Sequence, residues 1–402
     1  MSTWLLPREE LTPDQLRAIG LPHSQHQVIF GAPGSGKTMV LVHRARELCD
    51  RLQPAPDRFR IFVYTNVLKE YIRSALDLLG LPESAVMTYD AWCARVYQEH
   101  LGRLPMREFE RGQEPDYDAI RYAVARWVQQ NRAAMPWYEF VLVDEGQDLE
   151  PEVYQVLRTI ARHVTVCLDH RQQIFEGGST KEDILHALGL RRENLTLLGA
   201  YRCCPFVAQL AAQLLENPQE RAQFLGQVHV AQSERETPVM YLADSFVDER
   251  EQLIAAVRQR LLKDQRIAIL FPLQRQVHGF AEALRQAGIE VETQPQVNFA
   301  SDSPKLITYH SAKGLTFDSV FLPRLVLSAF KNKPPGIVRN LLFVAITRAT
   351  RWVYLSAEKS RCLGLLKELM ELQQKGQLKL LSGRRPKVAG AAASSGDDLD
   401  FL

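Results

Sequence analysis

Near the N-terminus, Gly31-Ala32-Pro33-Gly34-Ser35-Gly36-Lys37-Thr38 combines flexible backbone with one cation and one hydroxyl. Glycines at this spacing let backbone N–H groups converge on phosphate oxygens, a following helix adds its dipole, and the lysine reaches the β/γ oxygens. Gly31, Gly34, Ser35, Gly36, Lys37 and Thr38 are therefore the candidate ATP ligands, with Thr38 on Mg²⁺. A second set, Asp144-Glu145-Gly146-Gln147-Asp148, follows the apolar run Phe140–Val143. Adjacent acids at a strand end suit two tasks: Asp144 holds the Mg²⁺ shell, and Glu145 orients and deprotonates water. A fortuitous Gly-rich turn and a solvated acidic turn are the bland alternatives, each weakened by the presence of the other motif. Together the two sets imply hydrolysis of a nucleoside triphosphate.

Such groups need a sheet edge to hold them. Short apolar runs at 27–30, 59–64, 140–143, 164–168 and 195–198 alternate with helix-period segments, predicting one parallel sheet. Runs at 239–242, 267–271, 306–309, 319–322 and 352–355, with a helix over 277–287, predict a second. The fold class is α/β, with doubly wound layers in both halves and a boundary near Gly199. The expected division is 1–198, 199–372 and a flexible tail at 373–402. Within 87–137 the strand rhythm stops, and a reduced helical insert is expected at about 91–137, with Ile120, Val124, Trp127 and Val128 on one face.

The 402 residues suit two domains, and 46% apolar with 24% charged residues excludes fibrous and disordered classes. A formal charge of +2 gives no bulk attraction to a polyanion, so any nucleic acid must be held by local patches. No apolar run reaches membrane-span length and no apolar leader opens the chain, so a cytoplasmic protein without a membrane partner is expected. Six scattered cysteines read as reduced thiols.

Beyond these two sets, an ordered series of motifs resembles the UvrD/Rep family of superfamily 1 DNA helicases. The resemblance runs from Leu11 to about Leu355. It implies two RecA-like domains with ATP between them and single-stranded DNA across their top. Leu11-Thr12-Pro13-Asp14-Gln15 is similar to the adenine-reading segment, making Gln15 the base contact. Val63-Tyr64-Thr65-Asn66 resembles a DNA-contacting motif in which Tyr64 stacks on a base while Thr65 and Asn66 hold phosphate. Strand-end packing is the alternative for Tyr64. Thr88, in Met87-Thr88-Tyr89-Asp90, is a further DNA candidate.

Asp169-His170-Arg171-Gln172-Gln173-Ile174-Phe175 resembles the segment coupling γ-phosphate to DNA, with Gln172 as sensor and Phe175 as stacking aromatic. Tyr201-Arg202 and Phe343–Ala349 resemble motifs in which Tyr201 stacks on adenine while Arg202 and Arg348 act as arginine fingers. His310–Phe317 resembles a motif touching nucleotide through Gly314 and DNA through His310. Thr316 and Met39 stand where the family carries Glu and Arg, loosening sugar and base recognition.

The family inserts a large accessory domain before the His310 strand, where this chain has only 294–303. Two functions are consistent with this minimal form. One is an ATP-dependent single-stranded DNA translocase or DNA helicase, 3′ to 5′ by family analogy. The other is a DNA-stimulated ATPase switch in a larger repair or anti-phage complex, without autonomous unwinding. The terminal Asp397-Asp398-Leu399-Asp400-Phe401-Leu402 is similar in kind to peptides that dock on single-strand-binding proteins or sliding clamps, with a solubilising tail as the alternative.

Overall fold

The computed structural model describes residues 4–31, 34–109, 112–169, 178–197, 203–226, 236–263, 266–294 and 296–383. Two compact units, Met1–Gly199 and Ala200–Leu402, divide the chain. Each is an α/β layer built on a parallel sheet. Among the described residues, no helix is long and apolar enough to cross a membrane.

The first unit runs α1 (Pro13–Ile19), β1 (Gln27–Gly31), α2 (Lys37–Leu52), β2 (Phe59–Val63), α3 (Asn66–Leu76), β3 (Val86–Thr88) and α4 (Tyr89–His100). A hairpin of β4 (Met106–Phe109) and β5 (Gly112–Pro115) precedes α5 (Tyr117–Gln130), β6 (Tyr138–Val143), α6 (Pro151–Ile160), β7 (Ala161–Leu168), α7 (Lys181–Ala187) and β8 (Leu195–Leu197). The sheet order is β3-β2-β6-β7-β1-β8, and every pairing in it is parallel. The phosphate-loop strand β1 and the acid-bearing strand β6 thus flank β7, whose buried Val164, Val166 and Leu168 join the core under them. Strands covered on both faces read as continuous apolar runs, which is why β6 and β7 were legible.

The insert is not purely helical. Its antiparallel hairpin pairs Met106 with Pro115 through Phe109 with Gly112, two strands of four residues without an apolar period to reveal them. α5 behaves as its spacing predicts: Ile120, Val124 and Val128 are buried, and Trp127 stacks on His100 at 4.3 Å.

The second unit comprises α8 (Pro205–Ala212), α9 (Pro218–Gly226), β9 (Val239–Ala243), α10 (Phe246–Leu261), β10 (Ile267–Phe271), α11 (Gln274–Gln286), β11 (Glu292–Thr293) and β12 (Lys305–Thr308). There follow β13 (Phe317–Leu322), α12 (Pro335–Ile346), β14 (Ala349–Glu358), α13 (Leu366–Gln374) and β15 (Lys379–Ser382). The parallel order is β11-β12-β10-β13-β14-β9-β15.

The expectation of a tail from 373 is corrected here. Residues 373–374 end α13, and Lys379–Ser382 add an edge strand along Val239–Leu242 of β9. Edge pairing is backbone hydrogen bonding, so the polar composition of this segment hid it. Residues 384–402, including the acidic end proposed as a docking peptide, lie outside the described residues.

Candidate active site

The turn after β1 delivers Lys37 and Thr38 as the first residues of α2. Gly36, the N-cap, has φ 80°, and a Cβ there would meet Gln15 Nε2 at 2.5 Å, so the turn is closed to any side chain. Gly34 also has positive φ, while Ala32 and Pro33 lie outside the described residues. Ser35 is buried against the same turn, its Oγ 2.5 Å from where a Gly31 Cβ would stand.

Lys37, only 5% exposed, donates to the Gly31 carbonyl at 2.9 Å and lies 3.5 Å from Asp169 Oδ2. Thr38 Oγ1 donates to Asp144 Oδ2 at 2.6 Å. Loop and acids, far apart in sequence, are therefore in direct contact. Burial, then the neighbouring Glu145 carboxylate, push the Asp144 carboxyl up to about 7. Glu145 sits at φ 52°, a left-handed conformation uncommon for a side-chain-bearing residue. It is held by Gln147 Nε2 donating to Glu145 Oε2 at 2.5 Å and by its own N–H donating to Asp144 Oδ1 at 3.1 Å. Gly146 follows because its position admits nothing larger: a Cβ would lie 2.3 Å from Val166 Cγ1, and the Tyr154 hydroxyl donates to its carbonyl.

Gln15, the expected base contact, lies against the phosphate loop. Its Nε2 donates to the Ser35 carbonyl at 3.0 Å and its Oε1 accepts from the Thr12 N–H at 2.9 Å, within a capping box that opens α1. Both ends of the amide are engaged, so Gln15 braces the phosphate loop from behind. Arg44 extends this brace. Fully buried, it donates to the carbonyls of Ile19 and Leu21 at 2.9 Å, ending α1, and to Thr165 Oγ1 of β7 at 2.9 Å.

Four of the nucleic-acid candidates, Tyr64, Thr65, Asn66 and Thr88, lie at the C-terminal ends of β2 and β3, on the same edge of this sheet. Thr65 Oγ1 caps α3 by accepting from the Leu68 N–H, and Thr88 Oγ1 caps α4 by accepting from the Ala91 N–H. Asn66 is exposed and accepts from Lys69. Tyr64 is half-buried and, with Thr88, lines a cavity of about 370 Å³ whose other walls include Asp90, Arg121, Asp148 and Glu150. Burial and the nearby acids push the Tyr64 hydroxyl up to about 12, so it stays protonated as a donor. The acids disfavour a phosphate inside the cavity and leave the aromatic face and the two helix N-termini as the polyanion-compatible features.

In the second unit, Gly314 has φ 78° in the turn between β12 and β13. Arg348, 3% exposed, donates to the carbonyls of Val344 at 2.9 Å and Leu315 at 3.3 Å, next to that glycine. The structure thus joins Gly314 and Arg348 in one cluster, with the guanidinium turned onto carbonyls. His310 stands at the start of the same turn. Burial and the charges of Lys333 and Lys313 lower its pKa to about 4, so it is neutral at pH 7. Gln172, Phe175, Tyr201 and Arg202 lie outside the described residues.

Three polar residues at this site carried no assigned role in the sequence: Gln147, Asp169 and Arg44. Asp169 had a usable signal, since it directly follows the apolar run of β7 as Asp144 follows that of β6. Arg44 had another, being a charge among the apolar Val40, Leu41, Ala45 and Leu48 of one helix.

The chain is similar to known proteins in both units. A family model described as an AAA domain matches residues 15–178, and one described as UvrD-like helicase C-terminal domain matches 305–356. A "Probable DNA helicase" of Mycoplasma pneumoniae (strain ATCC 29342 / M129 / Subtype 1) is 26% identical over 280 residues, covering 62% of this chain and 51% of that protein. The chain thus spans about half the length of this curated relative. The solved C-terminal domain of a "possible DNA helicase" from Lactobacillus plantarum WCFS1 aligns over 45% of this chain and 99% of its own, at 16% identity and a TM-score of 0.36.

Proposed function

We propose, for a chain that is UvrD/Rep-like superfamily 1 in character, that it couples ATP hydrolysis to movement along single-stranded DNA, with 3′ to 5′ polarity and a cytoplasmic setting. The observation that carries this reading is the buried contact of Thr38 with Asp144, beside Lys37 and Glu145, at the end of a parallel sheet. Ligands of such sheets bind at that edge.

The residues fit Mg²⁺ with ATP. Thr38 Oγ1 and Asp144 Oδ2 are hard oxygens already adjacent, and the raised Asp144 carboxyl marks two buried acids that a dication would relieve. With two protein oxygens at hand, the ion would take its remaining ligands from phosphates and water. When bound, Mg²⁺ would offset the charge on the β/γ oxygens. Lys37 reaches those same oxygens, and the loop N–H groups orient the chain of phosphates. Glu145 positions water for in-line attack and takes its proton. Arg202 and Arg348 are the fingers of this reading, and Gln172 and Tyr201 the sensor and the adenine stack. Tyr64 and Phe175 supply stacking faces, while Thr65, Asn66, Thr88 and His310 contact the strand.

A second reading is favoured by one observation. The β11–β12 connection is only 294–304, and Lys305 locks it by donating to Glu292 Oε2 at 3.0 Å and the Ser301 carbonyl at 2.9 Å. So short a connection suits a DNA-stimulated ATPase switch that works within a larger repair or anti-phage assembly. Strand displacement on a forked duplex tests the choice: release of the displaced strand supports the helicase, and stimulated ATPase without release supports the switch. A single-strand-binding protein or sliding clamp is the partner this reading gives to residues 397–402, tested by pulldown with those residues removed.

A further inference from the structure

The buried polar groups of the first unit form a closed circuit. Thr38 Oγ1 donates to Asp144 Oδ2 at 2.6 Å, and Asp144 Oδ1 accepts from the Glu145 N–H at 3.1 Å. Glu145 Oε2 accepts from Gln147 Nε2 at 2.5 Å, and Gln147 Oε1 accepts from the Asp169 N–H at 2.9 Å. Asp169 Oδ2 lies 3.5 Å from Lys37 Nζ, and Lys37 adjoins Thr38. Every side chain in the circuit is buried, with Gln147 at 1% and Asp169 at 0% exposure.

Resting on the ATP-hydrolase reading, we propose that Gln147 is the positioning residue of the circuit, fixing the Glu145 carboxylate relative to the phosphate-loop lysine through Asp169. Its amide touches both Glu145 and the Asp169 backbone, and each of its ends has a defined task. The nitrogen must donate to a carboxylate and the oxygen must accept from an N–H, a pair that only a carboxamide supplies. The φ of 52° at Glu145 gives this work a reason: a residue in a sparsely populated conformation keeps its side-chain direction only where the surroundings over-determine it. A γ-phosphate that draws on Lys37 competes with Asp169 for the ammonium, so a change at the phosphates reaches Glu145 through the same amide. Gln147 itself touches no reacting atom.

The test is a double-substitution cycle on single-turnover ATP hydrolysis by the full chain. Gln147→Met keeps length and volume but removes both hydrogen bonds, and it is expected to lower the hydrolysis constant by about three- to tenfold. Binding of a fluorescent ATP analogue stays within about twofold, since no direct ligand is changed. In a Glu145→Asp background, which keeps a carboxylate base but draws it back from the amide, the same substitution has no further effect, because it acts through the side chain at 145. Gln147→Glu keeps an acceptor for Asp169 but repels Glu145, and it is expected to lower hydrolysis as Gln147→Met does. Independent, multiplying losses in the cycle, or a Gln147→Glu rate equal to wild type, overturns the proposal. A wild type that binds ATP without hydrolysing it overturns the hydrolase reading instead, and with it any task at Glu145.

Discussion

Within the first unit, each candidate residue has a distinct consequence when altered. Lys37→Ala removes the cation that serves the β/γ oxygens and is expected to abolish hydrolysis and weaken nucleotide binding. Glu145→Gln keeps shape but not basicity, so ATP binding should persist while turnover is lost, a split read by analogue binding beside phosphate release. Normal turnover in Glu145→Gln would remove it as base. Protonation offers a second check. Burial, then the Arg44 charge, lower the His163 pKa to about 3 from 6.5. The unfolded chain therefore takes up a proton that the folded one refuses, and stability falls as pH drops from about 6.5 toward 3. His310, lowered to about 4, adds to the same window. The thermal midpoint should fall on acidification through this range, and less so in His163→Gln; an unchanged slope would reject the linkage.

Among the elements, α1 and the phosphate loop act as one body through Gln15 and Arg44. If Gln15 braces the Ser35 carbonyl, Gln15→Ala should weaken ATP and GTP by similar factors, about two- to tenfold for a lost hydrogen bond. Weakening confined to ATP would restore the base-reading role that the family resemblance implies. At the C-terminal end of β2, Tyr64→Ala should lower single-strand affinity and DNA stimulation while leaving the basal ATPase unchanged. Unchanged affinity would return Tyr64 to strand-end packing.

These elements also show what the sequence made legible. The buried parallel strands were readable because both faces are covered, and the loop and acids because their chemistry needs fixed spacing. β3, β11 and β15 were hidden for another reason. They are two to four residues long, lie at sheet edges and carry little apolar pattern. The circuit through Gln147 and Asp169 was equally invisible, because it joins residues 22 apart that only the β6–β7 pairing brings together. The second task of Gln15 was hidden for a similar reason: a motif fixes which residue is present, while the capping box that engages its amide appears only in three dimensions.

Across the whole molecule, the formal charge of +2 leaves DNA binding to local features, so the salt dependence of affinity should count the phosphates those features contact. Neutral His310 adds nothing to that slope at pH 7, and a His310→Ala protein should keep the wild-type salt dependence. The central claim is that ATP turnover and single-stranded DNA are coupled. Its most direct measurement is steady-state phosphate release by the full chain with Mg²⁺ and ATP, titrated with single-stranded DNA. Coupling gives a severalfold, saturable rise in turnover that is lost in Glu145→Gln. A rate indifferent to DNA at every concentration would contradict it.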